Sequence, residues 1–341
     1  MHYDVTIGIP VFQVEDYIGR TMESVLSQTY PNIEFLIIDD GSKDNSVEIV
    51  RSLIGDHPRG KDIRLLIHES NKGVSETRNH IIDEAQGDYL FFVDSDDMIA
   101  PDTISILLKS VRRYNADVAF GSYERIELNG ERKLFQYPKL FFPETDSFVG
   151  YVFRKYGAFQ ASACNYLMRI SIIRENNLRF YKSDFWEDMV FTLCYSTIVK
   201  RAVLLPDITY TYLCRENSLS NSFNNDIIPK DRISQYFLAI ESLKDYSLKF
   251  EGKPYYSNMC FFSVMSDIYI ICNILKKKHY IVPSFSNNEL HGYMRNPLSF
   301  SQLCSYRQMV WPNLILIFLS NIPALLDILV IRIFARLKGL L

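Results

Sequence analysis

Tyr89-Leu90-Phe91-Phe92-Val93-Asp94-Ser95-Asp96-Asp97 runs apolar without alternation and then ends abruptly in acid. A short run that is apolar throughout predicts a strand buried on both faces, as in a parallel sheet covered by helices. Phe35-Leu36-Ile37-Ile38, followed by Asp39-Asp40-Gly41-Ser42, has the same design. In open α/β sheets the ligand crevice lies outside the carboxyl ends of the strands, so both acidic clusters are expected at one rim.

The flanking sequence supplies the rest of such a fold. Val5 to Ile9 precedes a helical pattern over Tyr17 to Gln28, and Ile33 to Ile38 precedes Asn45 to Ile54. Ile63 to Ile67 precedes Val74 to Ala85, Tyr89 to Val93 precedes Thr103 to Tyr114, and a further strand is expected over Asp117 to Phe120. This alternation predicts a doubly wound α/β domain, a mostly parallel sheet with helices on both faces.

At the rim, Asp94 and Asp96 flank small Ser95, a spacing suited to Mg²⁺ or Mn²⁺, which take one or two carboxylates plus substrate phosphates. The same acids also suit turns, and Asp97 or Asp102 could cap the helix from Thr103. Asp39 or Asp40 could accept from a base N–H or a ribose hydroxyl, while Ser42 or Asp44 offers an ordinary helix cap. In Asn71-Lys72-Gly73-Val74-Ser75-Glu76-Thr77-Arg78-Asn79, Gly73 is free to take a positive φ. Arg78, one turn into the next helix, faces the crevice or pairs at the surface with Glu76 or Asp83.

Four segments in order, Ile9-Pro10-Val11-Phe12, Ile37 to Ser42, Asn71-Lys72-Gly73 with Thr77-Arg78-Asn79, and Val93 to Asp97, resemble the N-terminal half of family 2 glycosyltransferases. These are inverting, nucleotide-sugar-dependent enzymes with the Rossmann-like GT-A fold, and the resemblance covers about residues 3 to 220. It implies that Pro10 and Phe12 line a base pocket, with Asp40 and Asp39 at the nucleobase edge and Asn71 and Arg78 near the nucleoside. It implies that Asp94 lies near ribose and metal, and that Asp96 is the main protein ligand of Mn²⁺ or Mg²⁺. Phe185-Trp186-Glu187-Asp188 is similar to the family's acidic pair, with Asp188 as general base and Glu187 supporting it or touching the acceptor. Acids at a helix start are also favoured by the helix dipole. Tyr210 to Ser220 resembles a closing segment in which Arg215 clamps the diphosphate. The chain departs from the family in carrying Phe12-Gln13 where Tyr-Asn is frequent. The implied activity is transfer of a hexosyl or N-acetylhexosaminyl group, from a UDP-linked donor by family preference, to a glycan or lipid-linked acceptor in surface polysaccharide or glycoconjugate synthesis.

The resemblance divides the chain into a catalytic domain over 1–220, with a nucleotide half of about 1–125 and an acceptor half of about 126–220, and a helical region over 221–341. Between about 126 and 185 regularity is lost, and Phe135 to Phe142 suits either sugar stacking or an ordered surface loop. Periodic Ile233, Phe237, Ile240 and Leu243, with Leu248 beyond, then Met265, Ile268, Ile271 and Leu275, predict helices. Lys276-Lys277-Lys278-His279 suits a solvated helix end or an anionic headgroup.

With 341 residues, 48% hydrophobic and 14% aromatic, the chain can bury a deep core, which excludes disorder and small disulfide scaffolds. Its formal charge of −3 provides no global field for nucleic acid. The six cysteines contain no C-x-x-C pair and suggest buried thiols rather than zinc or disulfides. A start without a basic and apolar leader predicts a cytosolic N-terminus. Leu314 to Ile331 is apolar but contains Ser320, Asn321, Pro323 and Asp327, which argues against a full span. Short helices broken at Pro323 and lying on the cytoplasmic membrane face are expected over 311–341, with core or interface helices as the alternative. Two other classes use the same rim acids: a metal-dependent phosphoryl- or nucleotidyl-transfer enzyme, and a non-catalytic nucleotide-sugar-binding protein. The first-strand end Pro10-Val11-Phe12 lacks the nucleophile a D-x-D phosphatase needs, and a pure sensor has no use for Asp188.

Overall fold

The computed structural model describes residues 2–215 and 227–340. The chain divides into two compact units: Met1–Phe148 with Ala161–Asp184 and Phe191–Leu219, and Val149–Gln160 with Phe185–Val190 and Ser220–Leu341.

Through residue 213 the elements are β1 (Tyr3–Val11), α1 (Glu15–Leu26), β2 (Ile33–Asp39), α2 (Ser46–Asp56), β3 (Ile63–Ile67), α3 (Val74–Glu84), β4 (Gly87–Phe92), β5 (Met98–Ile99) and α4 (Thr103–Tyr114). They continue with β6 (Val118–Ile126), β7 (Arg132–Phe135), β8 (Leu140–Phe142), α5 (Thr145–Tyr156), β9 (Tyr166–Arg169), α6 (Ile170–Glu175), α7 (Glu187–Ile198) and β10 (Ala202–Leu213). The strand–helix alternation expected over the first third is therefore present. Every residue of β2 is buried, as its unbroken apolar run requires. In α1, Ile18, Met22, Val25 and Leu26 share the buried face at helical spacing, and Glu15 and Asp16 sit in the first turn where the dipole favours acids. α3 crosses β1 at Gly8, where a Cβ would lie 2.4 Å from Ile81 Cγ2.

The main sheet has the order β3-β2-β1-β4-β9-β6-β10-β5, with β7 on β6 and β8 on β10. β3, β2, β1 and β4 are mutually parallel, as are β6 and β10, while β9 lies antiparallel between β4 and β6. The strand expected near Asp117 to Phe120 is β6, separated from β4 by this later, four-residue insertion. Glu34, fully buried in β2, accepts from Thr6 Oγ1 at 2.6 Å, Gln86 N at 2.8 Å and Arg64 Nη1 at 2.5 Å, tying three strands together.

The aromatic run 135–142 is divided between the end of β7, the strand β8 and the loop 136–139 that joins them. Phe135 ends β7 and stacks on Tyr123 at 4.7 Å, and Phe141 of β8 stacks on Tyr114 at 4.8 Å. Four cysteines are buried free thiols, whereas Cys214 is half-buried and Cys304 exposed.

The helical C-terminal region comprises β11 (Ile228–Pro229), α8 (Lys230–Ser247), α9 (Tyr256–Lys276), β12 (Ile281–Val282), α10 (Asn287–Gly292), α11 (Phe300–Leu303), α12 (Val310–Leu319) and α13 (Ala324–Leu337). Ile233, Phe237, Ile240, Ile268 and Ile271 are buried in one cluster, as their periodicity predicts, whereas Leu248 is exposed. Inside it Lys244 and Asp267 lie 2.5 Å apart, both side chains fully buried. Among the described residues only α9 is long and apolar enough to cross a membrane, and 67% of its apolar window is buried in the protein. α12 and α13 are separate helices with Pro323 at the N-cap of α13, the break its ring imposes.

Candidate active site

The ends of β1, β2 and β4 meet at one rim. Val11 pairs with Asp39 in the β1–β2 register, Asp40 N donates to Val11 O at 2.8 Å, and Val93 N donates to Gly8 O at 3.0 Å. Pro10 is half-buried at the end of β1, and Phe12 just beyond it is 41% exposed. Gln13 adopts φ 49°, a left-handed conformation in which Asn is favoured, which gives a backbone reason for the family's frequent Asn at this place.

Asp39 and Asp40 are both buried, yet they are held differently. Asp39 Oδ2 accepts from Gly41 N at 3.1 Å and Ser42 N at 3.0 Å, while its Oδ1 is buried without a partner. Gly41 makes this turn at φ 77°. Asp40 accepts from Lys72 N at 2.9 Å and Gly73 N at 2.8 Å and lies 2.7 Å from His68 Nδ1, whose Nε2 is 2.9 Å from His80 Nδ1. Asp40 thus fixes the β3–α3 loop that carries exposed Asn71, with Gly73 at φ 93° preceding α3. His68 had no motif to mark it in the sequence.

Arg78 faces the rim: its Nη2 donates to Asp94 Oδ1 at 3.0 Å, and the guanidinium lies over the Phe180 ring at 5.4 Å. The alternative pairings with Glu76 or Asp83 are not adopted; Asp83 instead pairs with Arg179. Arg215 Nε lies 2.5 Å from Asp96 Oδ2, with its guanidinium 5.0 Å from the Tyr17 ring centre. Arg20 approaches the same ring at 4.9 Å and donates to the Asp96 carbonyl at 3.3 Å. Each acid of the D-x-D pair therefore has a guanidinium against one of its oxygens. The remainder of the closing segment, Glu216 to Ser220, lies outside the described residues.

Asp97 does not cap α4. Its carboxylate accepts from Tyr210 Oη at 2.7 Å and Leu213 N at 2.9 Å, and Tyr210 Oη also accepts from Asp94 N at 3.2 Å. Asp102 occupies the N-cap position of α4 without a side-chain cap. Burial, with the charges of Asp96 and Asp94 behind it, pushes the Asp97 carboxyl well above the usual range. Asp96 is also raised, first by burial and then by Asp94, against the pull of Arg215. Two close carboxylates in such surroundings favour a cation. No group of three metal-binding side chains exists among the described residues, so a bound metal would need substrate and water oxygens as well. The donor set fits Mg²⁺ or Mn²⁺, which are commonly held by one or two carboxylates plus phosphates.

Glu187 and Asp188 open α7 and belong to the second unit. Glu187 is buried, and Asp188 Oδ1 accepts from Met189 N at 2.8 Å. Trp186, immediately before them, is held at φ 74°, unusual for a bulky residue. Its ring contacts Tyr269 at 6.1 Å, and Phe185 contacts Tyr236 at 5.5 Å, so α8 and α9 anchor the segment that bears the acids.

Residues 6–176 match glycosyl transferase family 2. The chain belongs to this family. Glycosyltransferase GlyA of Streptococcus pneumoniae is 30% identical over 230 residues, covering 63% of this chain and 31% of the relative. Glycosyltransferase GlyG of the same species is 26% identical over 285 residues, covering 75% and 94%. The chain spans less than two thirds of the first relatives it matches, 31% of one and 50% of another. The structure of S. aureus TarS 1-349 in complex with UDP-GlcNAc superposes with a TM-score of 0.59 at 19% identity, covering 82% of this chain and 88% of that one. The shared fold is GT-A, followed here by the helical C-terminal region.

Proposed function

We propose that this family 2 member is an inverting glycosyltransferase that moves a hexosyl or N-acetylhexosaminyl group from a nucleoside diphosphate to a hydroxyl of a glycan or lipid-linked acceptor. The observation that carries this reading is the matched pairing of Asp94 with Arg78 and of Asp96 with Arg215 at the rim, carboxylates and guanidiniums of the kind that bind a divalent cation and a diphosphate. The UDP-GlcNAc bound by TarS supports a UDP-linked donor.

In this mechanism Pro10 and Phe12 border the base, with Asp39 and Asp40 behind them shaping its pocket. Asn71 and Arg78 lie toward the nucleoside, and Arg215 grips phosphate oxygens through its planar guanidinium. Asp96, assisted by Asp94, would hold Mn²⁺ or Mg²⁺, which when bound neutralises charge on the leaving diphosphate. The acceptor oxygen attacks the anomeric carbon as the bond to the diphosphate oxygen breaks, and the hydroxyl proton passes to Asp188. Glu187 supports Asp188 or contacts the acceptor. The role belongs to glycoconjugate or surface polysaccharide synthesis, with the chain peripheral to the cytoplasmic membrane face.

Asp188→Asn is expected to lower UDP release from UDP-hexoses in the presence of acceptor by 10²-fold or more, in keeping with roughly 10²–10⁴-fold for a positioned base. Nucleotide affinity should remain unchanged. A fully active Asp188→Asn enzyme contradicts the base assignment.

A further inference from the structure

The last two helices invert the usual arrangement of a surface helix. On α13 the buried face is Asp327, Ile328, Ile331 and Ala335, whereas the exposed side carries Leu325, Leu329, Ile333 and Leu337. On α12, Trp311, Ile315 and Phe318 are exposed at helical spacing, with Trp311 at 75% and Phe318 at 63%. Both helices turn their other sides into one cluster with α9, so these outward side chains meet no core. Large apolar side chains exposed together along a helix face mark an interaction site.

We propose that the outward faces of α12 and α13 seat this chain on an anionic lipid bilayer. The charges select that occupant. Residues 300–341 contain Arg307, Arg332, Arg336 and Lys338 against a single acid, Asp327. Asp327 is fully buried and lies 2.7 Å from His291 Nδ1, so it is withdrawn from the patch. A second copy docking through the same patch would bring no exposed acid to pair Arg332, Arg336 and Lys338, because the single acid of this end is buried. Anionic headgroups supply the missing charge, and Trp311 suits the headgroup boundary. With 10 and 14 residues, the helices reach about 15 and 21 Å, short of the roughly 30 Å hydrocarbon core, so they lie in the interface and do not cross it.

This goes beyond the transferase reading, since it names the surface and the lipid class and does not depend on the chemistry of the rim. The test is co-sedimentation of the full chain with phosphatidylcholine vesicles, with and without phosphatidylglycerol. The chain is expected to pellet with the anionic vesicles and to be released by salt. Leu329→Gln with Ile333→Gln should abolish pelleting. Arg336→Gln with Lys338→Gln should weaken it about fivefold per charge removed. All four positions are exposed, and an unchanged circular dichroism spectrum and Tm of the same samples show that the fold is intact whatever the rim binds. Three results would overturn the proposal: no pelleting with either vesicle, equal pelleting with both, or a vesicle-free dimer that Leu329→Gln with Ile333→Gln dissociates.

Discussion

Asp40 gathers three donors on one buried carboxylate, two backbone N–H groups and the His68 ring. A sequence shows an acid pair before Gly-Ser and cannot say which acid points where. The motif marked the place, and the residues that complete it lie 28 to 33 positions away. The same holds for Asp97, whose partners Tyr210 and Leu213 come from β10 rather than from the adjacent helix. Removing a charged group with several bonds strands its donors, so Asp40→Ala should destabilise the protein by about 3 kcal/mol in urea unfolding. A change below about 0.5 kcal/mol, the usual surface value, would show that the loop does not depend on it.

At the scale of elements, the parallel half of the sheet was legible because β1 to β4 announce themselves by apolar runs ending in turn residues. β9 was not: four residues have no period to read, and its position depends on pairing with β4 and β6. The α8–α9 pair was legible as periodicity, but the Lys244–Asp267 pair within it was not. Burial pushes the Asp267 carboxyl up to about 8, with Lys244 pulling the other way. The folded protein then keeps a proton that the unfolded chain releases near its ordinary value of about 4. Between those values the native state binds more protons, so this group's contribution to stability is full below about pH 4 and falls as pH rises toward 8. Asp267→Asn should flatten that part of the profile, read as Tm against pH. A parallel profile for the two proteins would show that Asp267 is charged throughout.

Across the whole molecule, net −3 averages unlike parts: a rim where Asp94, Asp96 and Asp97 crowd together, and a C-terminal end whose single acid is buried. Much of the aromatic content is internal, as in Phe180 stacked on Phe191 at 3.9 Å and Phe237 on Tyr293 at 3.9 Å. The rim was legible because strand-end acids and a Gly-turn occur in fixed order, whereas an acceptor is recognised by surfaces with no such order. The central claim is that the rim binds a nucleoside diphosphate with a divalent cation. Thermal unfolding with UDP, with and without Mn²⁺, tests it most directly on the parent chain, Asp96→Ala and Asp188→Asn. A ligand at about 100 times its Kd stabilises by roughly 2.7 kcal/mol. UDP with Mn²⁺ should raise the Tm of the parent chain and of Asp188→Asn, and Asp96→Ala should lose most of that rise. An unmoved Tm in the parent chain, or an Asp96→Ala response equal to it, would contradict the account.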